Sequence, residues 1–376
     1  MRRDTPSAIL PLTSIRFFAA LYVVTYHTLS ELVRGTDDPN AVYGDLLGLG
    51  YISVSFFFVL SGFILARVYL AKKNGYSWHQ FWVARLARVY PLFVITLLLD
   101  TPHWFFSGVR RIGIHAAIIS TCKVLAANLV LLQAWMVNLR GIDNPNWSLS
   151  VEGFFYLLFP FLSFPLGILR SKSLVWVSLI SYVVGLLLIG ASIHWNLGVE
   201  SIKFSPILHL HEFIEGICAG IVTMRLTNHQ KATIEGISPY LIAACSIAFA
   251  SLIFLSPHLV RIHLFIHDGL LCPLFLLLLV ALTFGSSFVH RLLSGRFITL
   301  LGEASYGLYL IHIPLWHIMR RFIGGHSMVG YSAYLVLAVG LSLLSFNYLE
   351  RPVRRFVLKA SQVRPVETLL SSSAMQ

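Results

Sequence analysis

Charge is what this chain has least of. Only 12% of its 376 residues are Asp, Glu, Lys or Arg, against 57% hydrophobic, and the mean hydropathy of +0.76 excludes a water-soluble globule. Acidic residues are scarcer still, 16 against 28 Lys and Arg, for a net charge of +12. Cysteine is limited to Cys122, Cys218, Cys245 and Cys272. They lie in or beside apolar segments, with no short metal-type spacing and no Cys-rich loop, which argues against a disulfide framework and for free thiols in the core. Internal repeats and a second soluble domain are missing as well. A signal-peptide cleavage site is another absence: the start Met1-Arg2-Arg3-Asp4 leads into an apolar run, but Arg16 interrupts it and no small-residue site follows, so an uncleaved first span is expected.

What is there is a series of apolar stretches of spanning length, at 12–32, 49–70, 89–106, 117–137, 147–168, 174–193, 205–225, 238–256, 269–288, 304–323 and 331–350. Basic clusters fall between them at Arg2/Arg3, Lys72/Lys73/Arg85/Arg88, Arg170/Lys172, Arg225/Lys231, Arg291/Arg296 and Arg351/Arg354/Arg355/Lys359. All can be cytoplasmic only if the region between Arg88 and Asn146 crosses an odd number of times. The weakest candidate there is 117–137, which holds Lys123 and Asn128, so it is read as a re-entrant or interfacial element. The expected fold class is all-α: a polytopic integral membrane protein of about ten transmembrane helices plus that one element, with both termini cytoplasmic. Residues 1–360 form one membrane domain and 361–376 a short polar tail expected to be disordered. Cationic cytoplasmic loops account for the net charge, which removes the case for nucleic-acid binding.

Within the first span, Arg16 and His27 are eleven residues apart, three full helical turns plus about 20°, so both lie on one stripe roughly 16 Å apart along the axis. Ionisable groups are costly in a bilayer and usually functional. His27 alone is equally a packing histidine; Arg16 on the same stripe favours a general base, with Arg16 holding an anionic donor. Arg85 and Arg88, three apart, share a helix face. They are topological charges by position alone, yet arginine forks suit phosphates. Glu152 lies about one turn into a span, with Tyr156 one turn beyond it, and has three possible partners: His27, an acceptor hydroxyl, or Arg16. Trp147 and Ser148 fit a sugar platform and hydroxyl as well as an interfacial tryptophan and a helix cap.

The motifs carrying these residues come in a fixed order. Leu12-Thr13-Ser14-Ile15-Arg16-Phe17-Phe18 through His27 is followed by Phe56-Phe57-Phe58-Val59-Leu60-Ser61-Gly62-Phe63 and Arg85-Leu86-Ala87-Arg88-Val89-Tyr90-Pro91. Trp147-Ser148-Leu149-Ser150-Val151-Glu152, Ser305-Tyr306-Gly307-Leu308-Tyr309-Leu310-Ile311-His312-Ile313-Pro314 and Glu350-Arg351-Pro352 complete the set. This ordered series resembles the acyltransferase 3 family of membrane O-acyltransferases. Two departures are visible: Gly153 follows Glu152 where many members have a second acidic residue, and Ser14-Ile15 stands where Asp-Gly is common. Some members carry a C-terminal secreted domain, for which the sequence after Pro352 is too short.

The resemblance implies transfer of an acyl group, commonly acetyl, from cytoplasmic acetyl-CoA or another acyl-CoA to a carbohydrate such as an exopolysaccharide, O-antigen or glycolipid at the outer face of the cytoplasmic inner membrane. It assigns catalysis to His27 and Glu152, the donor phosphates to Arg16, Arg85 and Arg88, and substrate contacts to Trp147, Ser148, Tyr306 and His312. His312, just before Pro314, otherwise satisfies freed backbone groups. Ser61 and Gly62 read first as close-packing residues. Trp78 and Trp82 read as an interfacial belt, Lys72 and Lys73 as flanking charges, and Glu350-Arg351-Pro352 as a structural helix end. No permanently bound cofactor is expected. No metal site is either, since His209 and His211 point to different sides of a helix and His258, His263 and His267 lack a carboxylate pattern. Rival readings are a transporter or flippase built on buried Arg, His and Glu, and an acyltransferase acting on a small molecule such as an antibiotic.

Overall fold

The computed structural model describes residues 10–33, 49–71, 75–255, 262–320, 322 and 328–361. Among them there is no strand. Four of the helices that carry the polar motifs come first: α1 (Leu10–Val33), α2 (Ile52–Tyr69), α3 (Trp78–Ile112) and, after the short helix α4 (Ile114–Leu129), α5 (Trp147–Ile168). The chain continues through α6 (Ser171–His194), α7 (Val199–Lys203), α8 (Leu210–Met224), α9 (Asn228–Leu255), α10 (His263–His267), α11 (Cys272–Phe284), α12 (Phe288–Leu293), α13 (Arg296–Met319), α14 (Met328–Ser345) and α15 (Arg351–Ala360). A π-helical turn, Phe346–Glu350, joins the last two. Seven described helices or joined helix pairs are long and apolar enough to cross a membrane: α2, α3, α5, α6, α9, α10–α11 and α14–α15. The protein is an all-α integral membrane protein.

The expected boundaries hold closely for 147–168, which is α5 to the residue. They fail for the third span. Helix α3 has 35 residues, about 52 Å and well beyond a hydrocarbon core of about 30 Å, because the apolar pattern continues through the arginines that the sequence reading took as a flank. The 117–137 stretch divides. Gly113 breaks the chain with φ +79°, the 16-residue α4 follows, and the backbone then runs irregularly to two single 3-10 turns before Trp147. At about 24 Å, α4 is short of a full crossing. Lys72, Lys73, His258 and the tail from 362 on lie outside the described residues.

Packing explains which helices meet. α2 lies on α8 and α1 on α13, with α6 on the far side of α8 and α14 on the far side of α13. The α2–α8 crossing is backbone to backbone: a Cβ at Gly62 would sit 2.2 Å from the Phe213 carbonyl oxygen, and one at Gly216 would sit 2.1 Å from that of Val59. Only glycine permits that approach. Above this contact Phe58, Phe63, Phe155, Phe159 and Phe213 fill the core.

One end of the bundle is basic. Arg67, at the end of α2, donates to Thr223 Oγ1 at 3.0 Å near the end of α8, and Arg225 donates to the Gly167 carbonyl at 2.5 Å and to that of Leu169 beyond α5. Arg85 reaches the Tyr69 hydroxyl at the same end. On α15, Leu358 packs against Ala84 of α3, which brings the C-terminal arginines there too.

Candidate active site

Between α1, α2, α3, α5 and α13 lies a cavity of about 100 Å³. It collects residues from five separate motifs: Arg16, Ser61, Arg85 with Arg88, Ser148 with Glu152, and Tyr306. Their helical spacings make this possible. Arg85 and Arg88 sit one turn apart on α3, Ser148, Glu152 and Tyr156 fall at intervals of four on α5, and Tyr306 and Tyr309 stand one turn apart on α13.

The two ends differ in chemistry. At the basic end the Arg85 side chain is buried, its NH2 donating to Tyr69 at 3.3 Å and its guanidinium lying 5.5 Å and 5.9 Å from the Tyr69 and Tyr156 ring centroids. Aromatic faces hold a planar cation in place without consuming its N–H groups. Arg85 Nε has no protein partner. Arg88 is half-buried on the same cavity wall. Glu152 accepts from Ser61 Oγ at 3.4 Å and from the Tyr156 hydroxyl. It lies beside Arg16 and Arg85, and Glu350 stands near Arg16 and Arg88 as well. No hydrogen bond between Glu152 and His27 occurs among the described residues, and of the three partners considered for this carboxylate, the arginine end of the cavity is where it lies.

At the other end two hydroxyls close the cavity. Ser148 Oγ and the Tyr309 hydroxyl are 2.7 Å apart, and both reach the Pro145 carbonyl, at 3.1 and 2.9 Å. Directly behind Tyr309 stands His312, whose Nδ1 is 2.5 Å from the Tyr309 carbonyl oxygen and whose Nε2 is 3.2 Å from His27 Nδ1. The two imidazoles are stacked with centroids 5.3 Å apart. A carbonyl oxygen accepts only, so His312 Nδ1 carries the hydrogen and Nε2 of the neutral ring is the acceptor. His27 then donates from Nδ1 and keeps Nε2 as its lone-pair nitrogen. His312 is thus a hydrogen-bond partner of His27.

Tyr306 turns its hydroxyl to the Val89 carbonyl at 2.6 Å, so it ties α13 to α3 while its ring lines the cavity. Trp147 is buried behind Phe58, with its ring 4.8 Å from Phe204 and 5.5 Å from His209, and is not among the cavity-lining residues. Trp78 is exposed at the outside of α3, while Trp82 donates its Nε1–H to the Tyr156 carbonyl at 3.0 Å. Glu350 accepts from Ser345 at 3.4 Å, and its neighbour Arg351 pairs with Glu303 at 2.9 Å. The sequence reading passed over Tyr309. Its signal was present: three residues after Tyr306 and three before His312, it shares their face.

The family described as "Acyltransferase domain" matches residues 12–346. Among curated proteins, the chain is 26% identical over 95% of its length to "Acyltransferase MdmB" of Streptomyces mycarofaciens, covering 94% of that protein. It is 24% identical over 91% of its length to "Putative peptidoglycan O-acetyltransferase YrhL" of Bacillus subtilis and 23% over 96% to "O-acetyltransferase OatA" of Staphylococcus aureus. It spans only 54% and 60% of those two. No solved structure matches it significantly. A family match from the first helix to the end of the last apolar one, carried by the helices that build the cavity, means that the chain belongs to the acyltransferase 3 family and is an integral membrane acyltransferase.

Proposed function

We propose that the protein is an O-acetyltransferase that takes an acetyl group from a cytoplasmic coenzyme A thioester and places it on a hydroxyl of an extracytoplasmic carbohydrate. The observation that carries this reading is the cavity with guanidinium groups at one end and a histidine pair behind the other. The cavity lining includes Arg16, Arg85 and Arg88 as well as Ser148 and Tyr309. The phosphorylated head accordingly stays at the basic end with Arg85, Arg88 and Arg16, and the thioester reaches toward Ser148 and Tyr309. Arg16 and His27 stand about 16 Å apart along α1, a separation suited to an extended arm. The basic end is the cytoplasmic one by the charge asymmetry of membrane proteins, which puts the termini and the donor on the same side of the inner membrane.

In this reaction the acceptor hydroxyl oxygen attacks the thioester carbonyl carbon while His27 Nε2 takes its proton. The carbon–sulfur bond breaks, the ester forms, and the imidazolium returns the proton to the departing thiolate. His312 holds His27 in the tautomer that exposes Nε2, as a second group orients the base in other acyl-transfer sites. Glu152 offsets part of the positive charge of the three arginines before the donor arrives and fixes Tyr156 against Arg85. Two of the relatives are named O-acetyltransferases, which supports an oxygen acceptor.

The test is a reconstituted one. Full-length protein in liposomes receives acetyl-labelled coenzyme A and a surface polysaccharide. Ester formation that disappears in His27→Ala supports the reading. Passage of an unmodified solute without any ester, or undiminished transfer in His27→Ala, overturns it. Label on a small hydroxylated molecule but never on polysaccharide keeps the chemistry and rejects the carbohydrate.

A further inference from the structure

Acyl transfer leaves unused a knot of ionisable side chains at the end of α2 remote from the arginines, where Ser55 marks the level. Helix α8 enters there and presents His211, Glu212 and Glu215 within its first turn and a half, with His211 and Glu215 on one face. Cys272, the first residue of α11, comes in from across the bundle. One donor atom each from His211, Glu215 and Cys272 lie within 4.8 Å of one another, and all three residues are buried.

These donors are prepared for a ligand. His211 Nδ1 is engaged with the Leu208 carbonyl at 2.8 Å, so the neutral ring presents its lone pair at Nε2. That Nε2 has no hydrogen-bond partner, and the residue is 5% exposed. Oxygen Oε1 of Glu215 (1% exposed) is likewise without one, while Oε2 of Glu212 (0%) faces His209 Nδ1 at 3.3 Å. Glu212 Oε1 accepts from Ser55 at 2.5 Å. Gly269, at φ +100°, packs its backbone closely against the set: a Cβ there would lie 2.2 Å from His211 Nε2 and 2.9 Å from Glu212 Oε1.

Two carboxylates and a thiol are thus withdrawn from water together; His209 faces Glu212, and among the described residues Glu215 forms no ion pair. Burying like charges side by side is unfavourable without a cation to share. The neighbouring His209 is spoken for: its Nε2 lies 2.9 Å from the Lys203 carbonyl and its Nδ1 3.3 Å from Glu212 Oε2. His267 and Asp268 are joined to each other at 2.5 Å. Asp268 Oδ2 also lacks a partner, but only the His211 group adds a thiol to its unpartnered nitrogen and oxygen.

We infer that His211, Glu215 and Cys272 form a site for one zinc-class divalent cation that ties the start of α8 to the start of α11. An imidazole nitrogen, a thiolate and a carboxylate oxygen are a borderline-soft set that favours zinc over magnesium or calcium. The bond from Nδ1 to a backbone carbonyl is the outer-sphere support that histidine ligands normally have. Three protein donors on two helices make the ion a cross-link between α8 and α11. The sequence reading could not assemble it, because Cys272 is 61 residues from His211 and the intended histidine partners belong to the adjacent network.

The test uses the full chain with a non-histidine affinity tag, purified in detergent without chelator. Metal content by mass spectrometry should be about one zinc per chain in the wild type and in Cys245→Ser, and at least about 10-fold lower in Cys272→Ser and His211→Gln. Cobalt(II) exchanged into the wild type should give a thiolate-to-metal charge-transfer absorption. Wild-type protein with no stoichiometric metal and no such band after cobalt loading overturns the site whatever the variants do. Metal content undiminished in folded Cys272→Ser also overturns it. Neither readout depends on transferase activity.

Discussion

Removing the guanidinium of Arg85 should weaken donor binding and leave the acceptor untouched. The side chain is buried, lies against two tyrosine rings, gives one 3.3 Å hydrogen bond to Tyr69, and keeps Nε without a protein partner. Most of its donor capacity is therefore available to a phosphate. A hydrogen bond to a charged group contributes about 1.5–3 kcal/mol, and at about 1.4 kcal/mol per decade this corresponds to roughly 10- to 150-fold in donor affinity for Arg85→Ala. Arg85→Lys keeps the charge and loses the fork, so its loss should fall between the two. Equilibrium binding of a non-reactive coenzyme A analogue to detergent-solubilised protein measures this directly. A pantetheine analogue without phosphates supplies the control, because it should bind both variants as it binds the wild type. Equal loss for the phosphate-free analogue would mean that Arg85 matters only for packing, and unchanged coenzyme A affinity would remove it from the donor site.

His312→Asn takes away the acceptor that faces His27 and should lower kcat by about 5- to 150-fold, the equivalent of one lost buried hydrogen bond of roughly 1–3 kcal/mol, with donor KM unchanged; steady-state kinetics in liposomes reads the split. An effect on donor KM alone would contradict the orienting role. Gly216→Val forces side-chain atoms into the Val59 carbonyl, 2.1 Å from where the Cβ must go, and should destabilise the α2–α8 crossing by about 1–3 kcal/mol or more. A melting temperature in detergent within a degree or so of wild type would refute that contact.

The sequence disclosed the fold class and singled out Arg16, Arg85, Arg88, Ser148, Glu152 and Tyr306, which line the cavity, whereas His27, His312 and Trp147 lie outside its lining. The Arg16–His27 stripe is a property of one helix, and the Arg85/Arg88 and Glu152/Tyr156 pairs are spacings within one helix, so each was readable locally. That Arg16, Arg85, Arg88, Ser148, Glu152 and Tyr306 share one cavity followed from the family resemblance rather than from spacing. The partner of His27 was open to Glu152 in the sequence; the neighbour is His312, 285 residues away, and only the packing of α1 on α13 decides it. Trp147 looked like an interfacial or sugar-binding ring, yet the short segment around Phe204 covers it. The length of α3 was underestimated for a physical reason: arginines inside a helix resemble its flank until neighbouring rings and a cavity are there to receive them.

The most direct test of the central claim is a sided one. Protein is inserted into vesicles in a single orientation, acetyl-labelled coenzyme A is confined to one face, and a membrane-impermeant carbohydrate acceptor to the other. The account predicts labelled ester only when the donor is on the face that carries the Arg67, Arg85 and Arg225 end of the bundle and the acceptor is opposite. Equal transfer with both on the same face, or with the donor restricted to the other face, would contradict it.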